Sequence, residues 1–200
     1  MIFENNNINS RMRKVLIDWI IDVATNNNFH LETLHKSVMI LDSYLMKDPD
    51  FHFNKLQLLG CISMLIATKL EEYYVLTPKD LSYLTCETYS VDEIIQFEQH
   101  VLEKIDYNVY ISTLYKHYTS YMTSLYKNSN HTKMISTLNI ILFHVDILYN
   151  YEFDDIVESC KEIIDHEDKY YSNCIKTISE KINSLEEKYM KTLFKHKYRE

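Results

Sequence analysis

Two adjacent carboxylates in this 200-residue sequence could together act as a general acid and a general base. Glu71 and Glu72 follow an apolar run and lie next to each other. Neighbouring residues on an α-helix point about 100° apart, so these carboxylates would not readily share a proton. We therefore favour a solvated helix end over a catalytic pair at this position.

The other polar residues do not indicate a metal or cofactor site. His30 and His35 are five residues apart and would not share a helix face, and residues 166–168 (His-Glu-Asp) are more typical of a polar turn. A phosphate-binding loop needs more than the single glycine present. We expect neither catalytic residues nor a bound metal or cofactor. Four cysteines without metal-ligand spacing are predicted to be reduced thiols of a cytosolic or nuclear protein: Cys61, Cys86, Cys160 and Cys174.

Two charged residues stand out because each lies against an apolar stretch. Lys69 follows an apolar run with no turn signal between, and Glu98 precedes Val101 within another periodic segment. Periodicity favours each side chain extending along the apolar surface to solvent. The alternative is that both charges lie at the rim of an apolar surface formed by two helices, where they would fix the register of a bound protein.

The composition predicts a helical protein. Hydrophobic residues make up 46% of the chain, enough for a core, whereas one glycine and two prolines are too few for the tight turns of a sheet-rich fold. A net charge of −8 argues against nucleic acid as the main partner, although a local basic patch within residues 188–199 stays open. The polar N-terminus does not resemble a signal peptide, and the longest apolar run, residues 56–67, is too short to span a membrane.

Hydrophobic periodicity and cap residues predict five helices in the first half of the chain. The first is capped by Asn9 or Ser10 and ends at an Asn triplet. The third, with Asn54 as its expected cap, is apolar on all sides and should be central and buried. The predicted helices cover residues 10–25, 31–48, 54–72, 78–85 and 91–105, with a Thr77–Pro78 start for the fourth and a Ser90/Glu93 capping box for the fifth.

A second set of about five helices is predicted in the other half, over residues 112–126, 132–149, 153–165, 168–182 and 185–197. The two halves share helix number and rough length without strong sequence identity, so the evidence for an internal duplication is weak. An apolar stripe mixed with charged residues predicts that the helix over residues 153–165 lies on the surface.

Several motifs of the first half resemble, in the same order, those of the cyclin family, close to its A- and B-type members. The match covers about residues 8–110. It implies an all-α cyclin fold of two tandem five-helix bundles: a short tail at 1–9, a cyclin box at 10–110 and a divergent helical domain at 111–200. The matching segments are Met-Arg-Lys-Val-Leu-Ile-Asp-Trp at 12–19, Glu-Thr-Leu-His at 32–35, Lys-Leu-Gln-Leu-Leu-Gly at 55–60, Ala-Thr-Lys-Leu-Glu-Glu at 67–72, Thr88-Tyr89, and Glu98 with Leu102.

The resemblance implies that the chain binds and activates a cyclin-dependent protein kinase and is not itself an enzyme. In the family, a lysine and a glutamate of the third and fifth helices hold the kinase backbone beside its regulatory helix; they match Lys69 and Glu98. Activation requires that this helix bring its glutamate to the catalytic lysine, and preferential binding of that state shifts the population. The apolar contacts implied around the pair come from Ile66, Leu70, Leu102, Tyr107 and Val109.

A second implied site is an apolar patch on the first helix that docks Arg-x-Leu segments of substrates or inhibitors. Asp22 would be available to the arginine and stands where the family usually has glutamate. A fully buried Trp19 would exclude docking at this patch. The matching positions of the patch are Met12, Val15, Leu16, Trp19 and Gln57.

The remaining residues of the first helix are expected to be structural. Ile17, Ile20 and Val23 should pack on the central helix, since they share a helical face. The resemblance implies that Arg13 and Asp18 form a buried or half-buried pair.

The sequence departs from the family pattern in three places, and the short N-terminus together with the Asn-rich, Gly-poor composition suggests a compact cyclin of a virus or a parasite. Residues 73–78 (Tyr-Tyr-Val-Leu-Thr-Pro) replace the usual double proline, and the predicted helix over residues 153–165 is charged where the family has small apolar residues. The N-terminus is short, with little room for a regulatory tail or an additional helix. We expect such a protein in the nucleus and cytoplasm of a eukaryotic cell, including a host cell.

Two other functions of the same fold remain as alternatives. One is an adaptor of the transcription-factor type that holds a general factor or promoter DNA, against which the net charge weighs. The other is a decoy that binds a kinase or its inhibitors without activation. No membrane partner is expected, and an enzyme is the least favoured interpretation.

Overall fold

The computed structural model describes residues 8–125 and 131–165, which form α-helices joined by turns and contain no strand. The all-α prediction is confirmed for these residues. They fall into a first unit that ends at Ser112 and a second unit that begins at Thr113. The helices within the described ranges are α1 (Ser10–Asn26), α2 (Leu31–Lys47), α3 (Leu56–Glu71), α4 (Pro78–Leu84), α5 (Val91–Lys104), α6 (Leu114–Leu125), α7 (His131–Ile141), α8 (Val145–Asn150) and α9 (Phe153–Asp165).

Asparagines begin and end α1. Asn9 is the N-cap, and its side-chain oxygen accepts a hydrogen bond from Met12 N at 2.9 Å, so the structure uses the first of the two expected caps. At the other end, Asn27 Nδ2 donates to Val23 O at 2.8 Å. Asn28 follows with a φ of 54°, a left-handed conformation that asparagine tolerates better than most residues. The Asn triplet therefore ends the helix, as predicted.

The central helix of the first unit is α3, as predicted. Its residues from Leu58 to Thr68 are all buried, and α1, α2 and α5 pack against it. Gly60 permits the close approach of α1, since a Cβ at this position would lie 2.7 Å from Leu16 Cδ1. The third helix is apolar all round because three neighbouring helices cover it.

The prediction that Asn54 caps α3 is wrong. Phe53–Lys55 form a short 3₁₀ turn, and α3 begins only at Leu56. His52 caps the turn, with its Nδ1 accepting from Asn54 N at 3.4 Å. Because the histidine ring takes the capping position two residues earlier, Asn54 lies inside the turn.

Reciprocal capping boxes begin α4 and α5. The Thr77–Pro78 start and the Ser90/Glu93 box are as predicted, whereas the contact that Asp80 returns to Thr77 was not predicted. Thr77 Oγ1 accepts from Asp80 N at 3.2 Å, and Thr77 N donates to Asp80 Oδ2 at 2.8 Å. Ser90 and Glu93 repeat this arrangement at 3.2 and 2.9 Å. Hydrogen bonds from the Thr77 hydroxyl and the Ser90 backbone N–H lower the pKa of Asp80 and of Glu93, respectively. The caps fix where α5 starts, and α5 then packs on α3 and α4.

The second unit contains an interruption that the sequence did not predict. The helix expected over residues 132–149 is two helices, because α7 ends at Ile141 and α8 begins at Val145. Phe143 N donates to Ile140 O at 3.1 Å and His144 N donates to Ile141 O at 2.8 Å, which closes a turn between them. Residues 138–145 are all buried. The turn lets this apolar segment bury side chains in more directions than one straight helix face allows.

The amphipathic character predicted for residues 153–165 is confirmed in α9. Its buried apolar side chains, Ile156, Val157 and Cys160, join the core of the second unit with α6 and α7, while Asp154 and Glu158 are exposed. No helix of the described residues combines the length and the apolar character that crossing a bilayer requires. The predicted helices over residues 168–182 and 185–197, the His-Glu-Asp turn at 166–168, Cys174 and the basic stretch at 188–199 lie outside the described residues.

Candidate functional site

An ion pair joins the exposed sides of α3 and α5. Lys69 Nζ donates to Glu98 Oε1 at 2.5 Å, across a sequence separation of 29 residues. The lysine side chain is 47% exposed and the glutamate side chain is 15% exposed. The interpretation in which each charge extends separately to solvent is therefore wrong, since the two charges meet at the surface between the helices.

Apolar side chains flank this ion pair at helical spacing. Leu70 follows Lys69 directly, and Leu102 lies one turn after Glu98; both side chains are partly buried. Ile66 is 4% exposed, so it supports the surface from the core. Tyr107 is 62% exposed. Val109, two residues further along this turn, is partly buried. The exposed sides of α3 and α5 that carry Lys69, Leu70, Glu98 and Leu102 are called here the α3/α5 surface, and the placement of Tyr107 and Val109 around the ion pair stays a prediction.

Three exposed apolar side chains, one on α5 and two after the end of α3, were not predicted. Ile95 is 50% exposed and lies three residues before Glu98, which places both on one face of α5. Tyr73 and Tyr74 are 90% and 82% exposed, directly after α3, with ring centroids 5.1 Å apart in an edge contact. The exposure of Ile95 could have been predicted from its helical spacing with Glu98 and Leu102. The two tyrosines follow the end of a helix and share no periodicity with it, so the sequence contains no such signal for them.

Glu71 and Glu72 fasten α3 to α2 and are not a solvated helix end. Glu71 pairs with Lys36, a buried residue of α2. Glu72 Oε1 accepts from His30 N at 2.6 Å and from Thr33 Oγ1 at 2.5 Å, so it satisfies free donors at the start of α2. These contacts hold the end of α3 that carries Lys69.

A groove of about 630 Å³ lies between α1 and the start of α3. Trp19 in the wall of the groove is only partly buried. The condition that would exclude docking, a fully buried Trp19, is therefore not met. Val15 is 63% exposed, whereas Leu16 is 5% exposed. The groove is lined by Asn9, Arg11, Met12, Val15, Leu16, Trp19, Leu56 and Gln57. Asn9, Arg11 and Gln57 are polar, and the other lining residues are apolar. We call this feature the α1 groove.

The other residues of α1 lie partly as expected. Ile17, Ile20 and Val23 are buried, as predicted. Asp22 is partly buried on the face of α1 that carries Trp19, but it does not line the α1 groove. Its role toward a docked arginine and the pairing of Arg13 with Asp18 stay predictions.

The orientation of α1 depends on a contact that was not predicted. Arg13 Nε donates to Asp42 Oδ1 at 2.7 Å, and Arg13 Nη2 donates to Asp42 Oδ2 at 2.5 Å. Both side chains are at most 1% exposed. This two-point contact fixes α1 against α2, and it therefore sets the direction in which the face with Trp19 points.

Thiol and metal chemistry has little support in the described part of the chain. No group of three His, Cys, Asp or Glu side chains there could hold a metal ion. Cys61 and Cys160 are buried free thiols, and Cys86 is an exposed one. Burial raises the pKa of Cys61 to about 12, so this sulfur stays protonated and is a poor nucleophile at neutral pH.

Comparison with known proteins places these features among related sequences and structures. The family model described as "Cyclin, N-terminal domain" matches residues 1–110. The "G2/mitotic-specific cyclin-B" of Spisula solidissima is 44% identical over 107 residues, which are 52% of this chain and 24% of that protein. The "G2/mitotic-specific cyclin-A" of the same organism is 34% identical over 106 residues, which are 53% of this chain and 25% of that protein. The chain thus spans about a quarter of the length of these relatives.

A solved structure has the same fold. The X-ray structure of a viral cyclin from herpesvirus saimiri superposes with a TM-score of 0.69 at 19% identity, over 95% of this chain and 84% of that chain. At this identity the likeness concerns the fold, which includes both halves of the chain.

Proposed function

The chain belongs to the cyclin family, and from this premise we propose that it is a regulatory subunit that binds and activates a cyclin-dependent protein kinase. The observation that carries the proposal is the Lys69–Glu98 ion pair at the centre of the α3/α5 surface. The chain itself has no catalytic role in this proposal. It acts by holding a partner in one conformation.

The ion pair can hold the backbone of a partner because neither charge is saturated by the other. An ammonium has three N–H donors and a carboxylate has several acceptor sites, so one hydrogen bond between them leaves capacity on both. Carbonyl oxygens of the kinase would accept from Lys69, and backbone N–H groups would donate to Glu98. Because the pair is already formed, binding costs less side-chain ordering.

The apolar surround supplies the burial that polar contacts alone do not give. Leu70, Leu102 and Ile95 lie partly or largely exposed around the ion pair, in the arrangement of an apolar interface core with fixed polar contacts. Activation then follows from preference for one kinase state. To move an equilibrium from 1:99 to 99:1, the chain must bind the active arrangement about 10⁴-fold more tightly than the inactive one.

We also propose that the α1 groove docks Arg-x-Leu segments of substrates or inhibitors. The groove is apolar and open beside Trp19, which suits a leucine side chain. Asp22 lies three residues beyond Trp19 on the same helix face, where its carboxylate suits an arginine. We further propose a location in the nucleus and cytoplasm of a eukaryotic cell, where such kinases act. The origin from a virus or a parasite stays a prediction.

Binding to purified cyclin-dependent kinases tests the site. We expect Lys69→Ala with Glu98→Ala to weaken binding about 30-fold or more, since truncating a desolvated charge pair at an interface costs about 2–5 kcal/mol. The matched control is Lys47→Gln with Asp106→Asn, which removes another surface ion pair of the first unit. Biolayer interferometry on immobilised kinases measures both, and circular dichroism checks the helical content.

The outcomes separate the site from the function. Unchanged binding of the double alanine variant would reject the α3/α5 surface as the site. Absence of binding by the wild-type chain to every kinase tried would reject the function, and binding without activation would favour the decoy. Salt-sensitive binding of DNA by the pure protein would instead support the adaptor of the transcription-factor type.

A further inference from the structure

Arg11 is a charged residue in the wall of an otherwise largely apolar groove. Its side chain is exposed and lines the α1 groove beside Met12 and Val15. Within residues 8–125 and 131–165, no hydrogen bond or ion pair engages its guanidinium. A guanidinium with five N–H donors at the edge of a docking groove is suited to a carboxylate.

The position of Arg11 is unfavourable for the helix that carries it. Arg11 lies in the first turn of α1, which contains no acidic residue. The N-terminal end of a helix carries a partial positive charge, so a cation there is destabilising and an anion is stabilising. Helix stability therefore does not explain an arginine at this position, whereas a bound anion would interact favourably with both the arginine and the helix end.

Two opposite charges bracket the docking face of α1. Arg11, Val15, Trp19 and Asp22 follow each other at intervals of four, four and three residues, which places them along one face. At about 1.5 Å per residue, the eleven steps from Arg11 to Asp22 span about 16 Å. An extended peptide advances about 3.3 Å per residue, so about five residues cover this distance.

We infer that the α1 groove prefers extended peptide segments with an Asp or Glu about five residues from the arginine of an Arg-x-Leu motif. The inference rests on the proposed docking function and adds to it a second, charge-selective contact. The arginine of the peptide lies toward Asp22, its leucine lies beside Trp19, and its carboxylate accepts hydrogen bonds from Arg11. Arg11 is thus a residue that determines specificity.

Fluorescence polarisation with three labelled peptides and the full chain tests this inference. One peptide has Arg-x-Leu with glutamine at the fifth position on each side of the arginine. The other two replace one or the other glutamine with glutamate, so that both chain directions are covered. We expect one acidic peptide to bind about two- to five-fold more tightly than the neutral one, since the new ion pair is partly solvated. This gain should shrink in about 0.5 M salt.

Two variants assign the gain to Arg11. Arg11→Gln should abolish the preference, so that the acidic and the neutral peptide bind this variant with equal affinity. Lys79→Gln, which removes an exposed cation on α4, is the matched control and should keep the preference. Thermal denaturation of each variant confirms that it folds.

The results that would overturn the inference are distinct from those that would overturn docking itself. If both acidic peptides bind no more tightly than the neutral one, or if the preference persists in Arg11→Gln, charge selection by Arg11 is refuted while the groove stands. If the neutral peptide does not bind, or binds Trp19→Ala equally well, the docking function fails and the inference fails with it.

Discussion

Two ion pairs of the first unit have different roles because they differ in burial. The Lys69–Glu98 pair has a lysine that is 47% exposed, so water competes with the interaction and a partner can reach it. The Arg13–Asp42 pair is at most 1% exposed on either side, so its charges depend on each other for solvation. The first pair is therefore suited to binding, and the second is suited to fixing α1 on α2.

We expect this contrast to be measurable in the free energy of unfolding. Arg13→Ala should lower it by about 3–5 kcal/mol, because Asp42 is left as a buried charge without its main partner. Arg13→Met with Asp42→Leu should cost less, since Asp42 is then not left as a buried charge. Lys69→Ala should cost at most about 1 kcal/mol.

Urea denaturation of the full chain, followed by circular dichroism, gives these values. Equal losses for Arg13→Ala and Lys69→Ala would contradict the assignment of a structural role to the buried pair.

Residue-scale contacts were predictable where a family motif or a short spacing marked them. The Lys69–Glu98 contact followed from the resemblance, whereas periodicity alone favoured two separate charges. Asp42 was missed because it lies 29 residues from Arg13, and nothing in the spacing of either helix marks a contact between them. Glu72 was missed because its partners, His30 and Thr33, belong to another helix.

At the scale of elements, the capping boxes connect stability to pH. The Ser90 N–H lowers the pKa of Glu93 below its ordinary value of 4.5. A carboxyl with a lowered folded pKa stabilises the fold above its ordinary pKa, and this contribution is lost as the pH falls through the folded value. The start of α5 should therefore weaken in acid.

Replacing Glu93 tests this connection. We expect Glu93→Gln to lower the melting temperature at about pH 7, where the carboxylate is charged, and to have a smaller effect at about pH 3, below the ordinary pKa of 4.5, where part of the stabilisation by the charge is already lost. Differential scanning calorimetry at the two pH values measures the difference. If Glu93→Gln lowers the melting temperature by the same amount at both pH values, a contribution from the charge of Glu93 is contradicted.

The close approach of α1 and α3 at Gly60 couples the core to the α1 groove. A Cβ at Gly60 would lie 2.7 Å from Leu16 Cδ1, the flexible end of a side chain that lines the groove. We expect Gly60→Ala to push Leu16 into the groove and weaken docking of Arg-x-Leu peptides several-fold. The free energy of unfolding should fall by about 0–2 kcal/mol, because the strain of overpacking is offset by better helix propensity.

Peptide affinity and kinase affinity of the same Gly60→Ala sample distinguish this mechanism from general loss of structure. Kinase binding should be retained. Loss of both affinities would contradict a local effect on the groove.

Helix starts were predicted well where the signal is local, and breaks were missed where it is absent. Thr77–Pro78 and the Ser90/Glu93 box act within four residues, so they are visible in the sequence. The turn between α7 and α8 has no glycine or proline, and its residues are as apolar as the helices on either side. Only burial on several sides, a tertiary effect, explains it.

At the scale of the first unit as a whole, the two proposed binding surfaces use opposite ends of α3. Leu56 and Gln57 line the α1 groove at the start of the helix, and Lys69 lies in its last turn. The twelve steps from Gln57 to Lys69 correspond to about 18 Å along the helix axis. A kinase and a docked peptide can therefore be bound together without competing for the same residues, and α3 holds the two surfaces at a fixed distance.

The measurement that tests the central claim most directly is kinase activity. A cyclin-dependent kinase that binds the chain is assayed on histone substrate alone, with the wild-type chain, with Lys69→Ala plus Glu98→Ala, and with the Lys47→Gln plus Asp106→Asn control. We predict that the wild-type chain and the control stimulate phosphorylation and that the double alanine variant does not at the same concentration. Equal stimulation by the double alanine variant, or a bound but inactive kinase with the wild-type chain, would contradict the account.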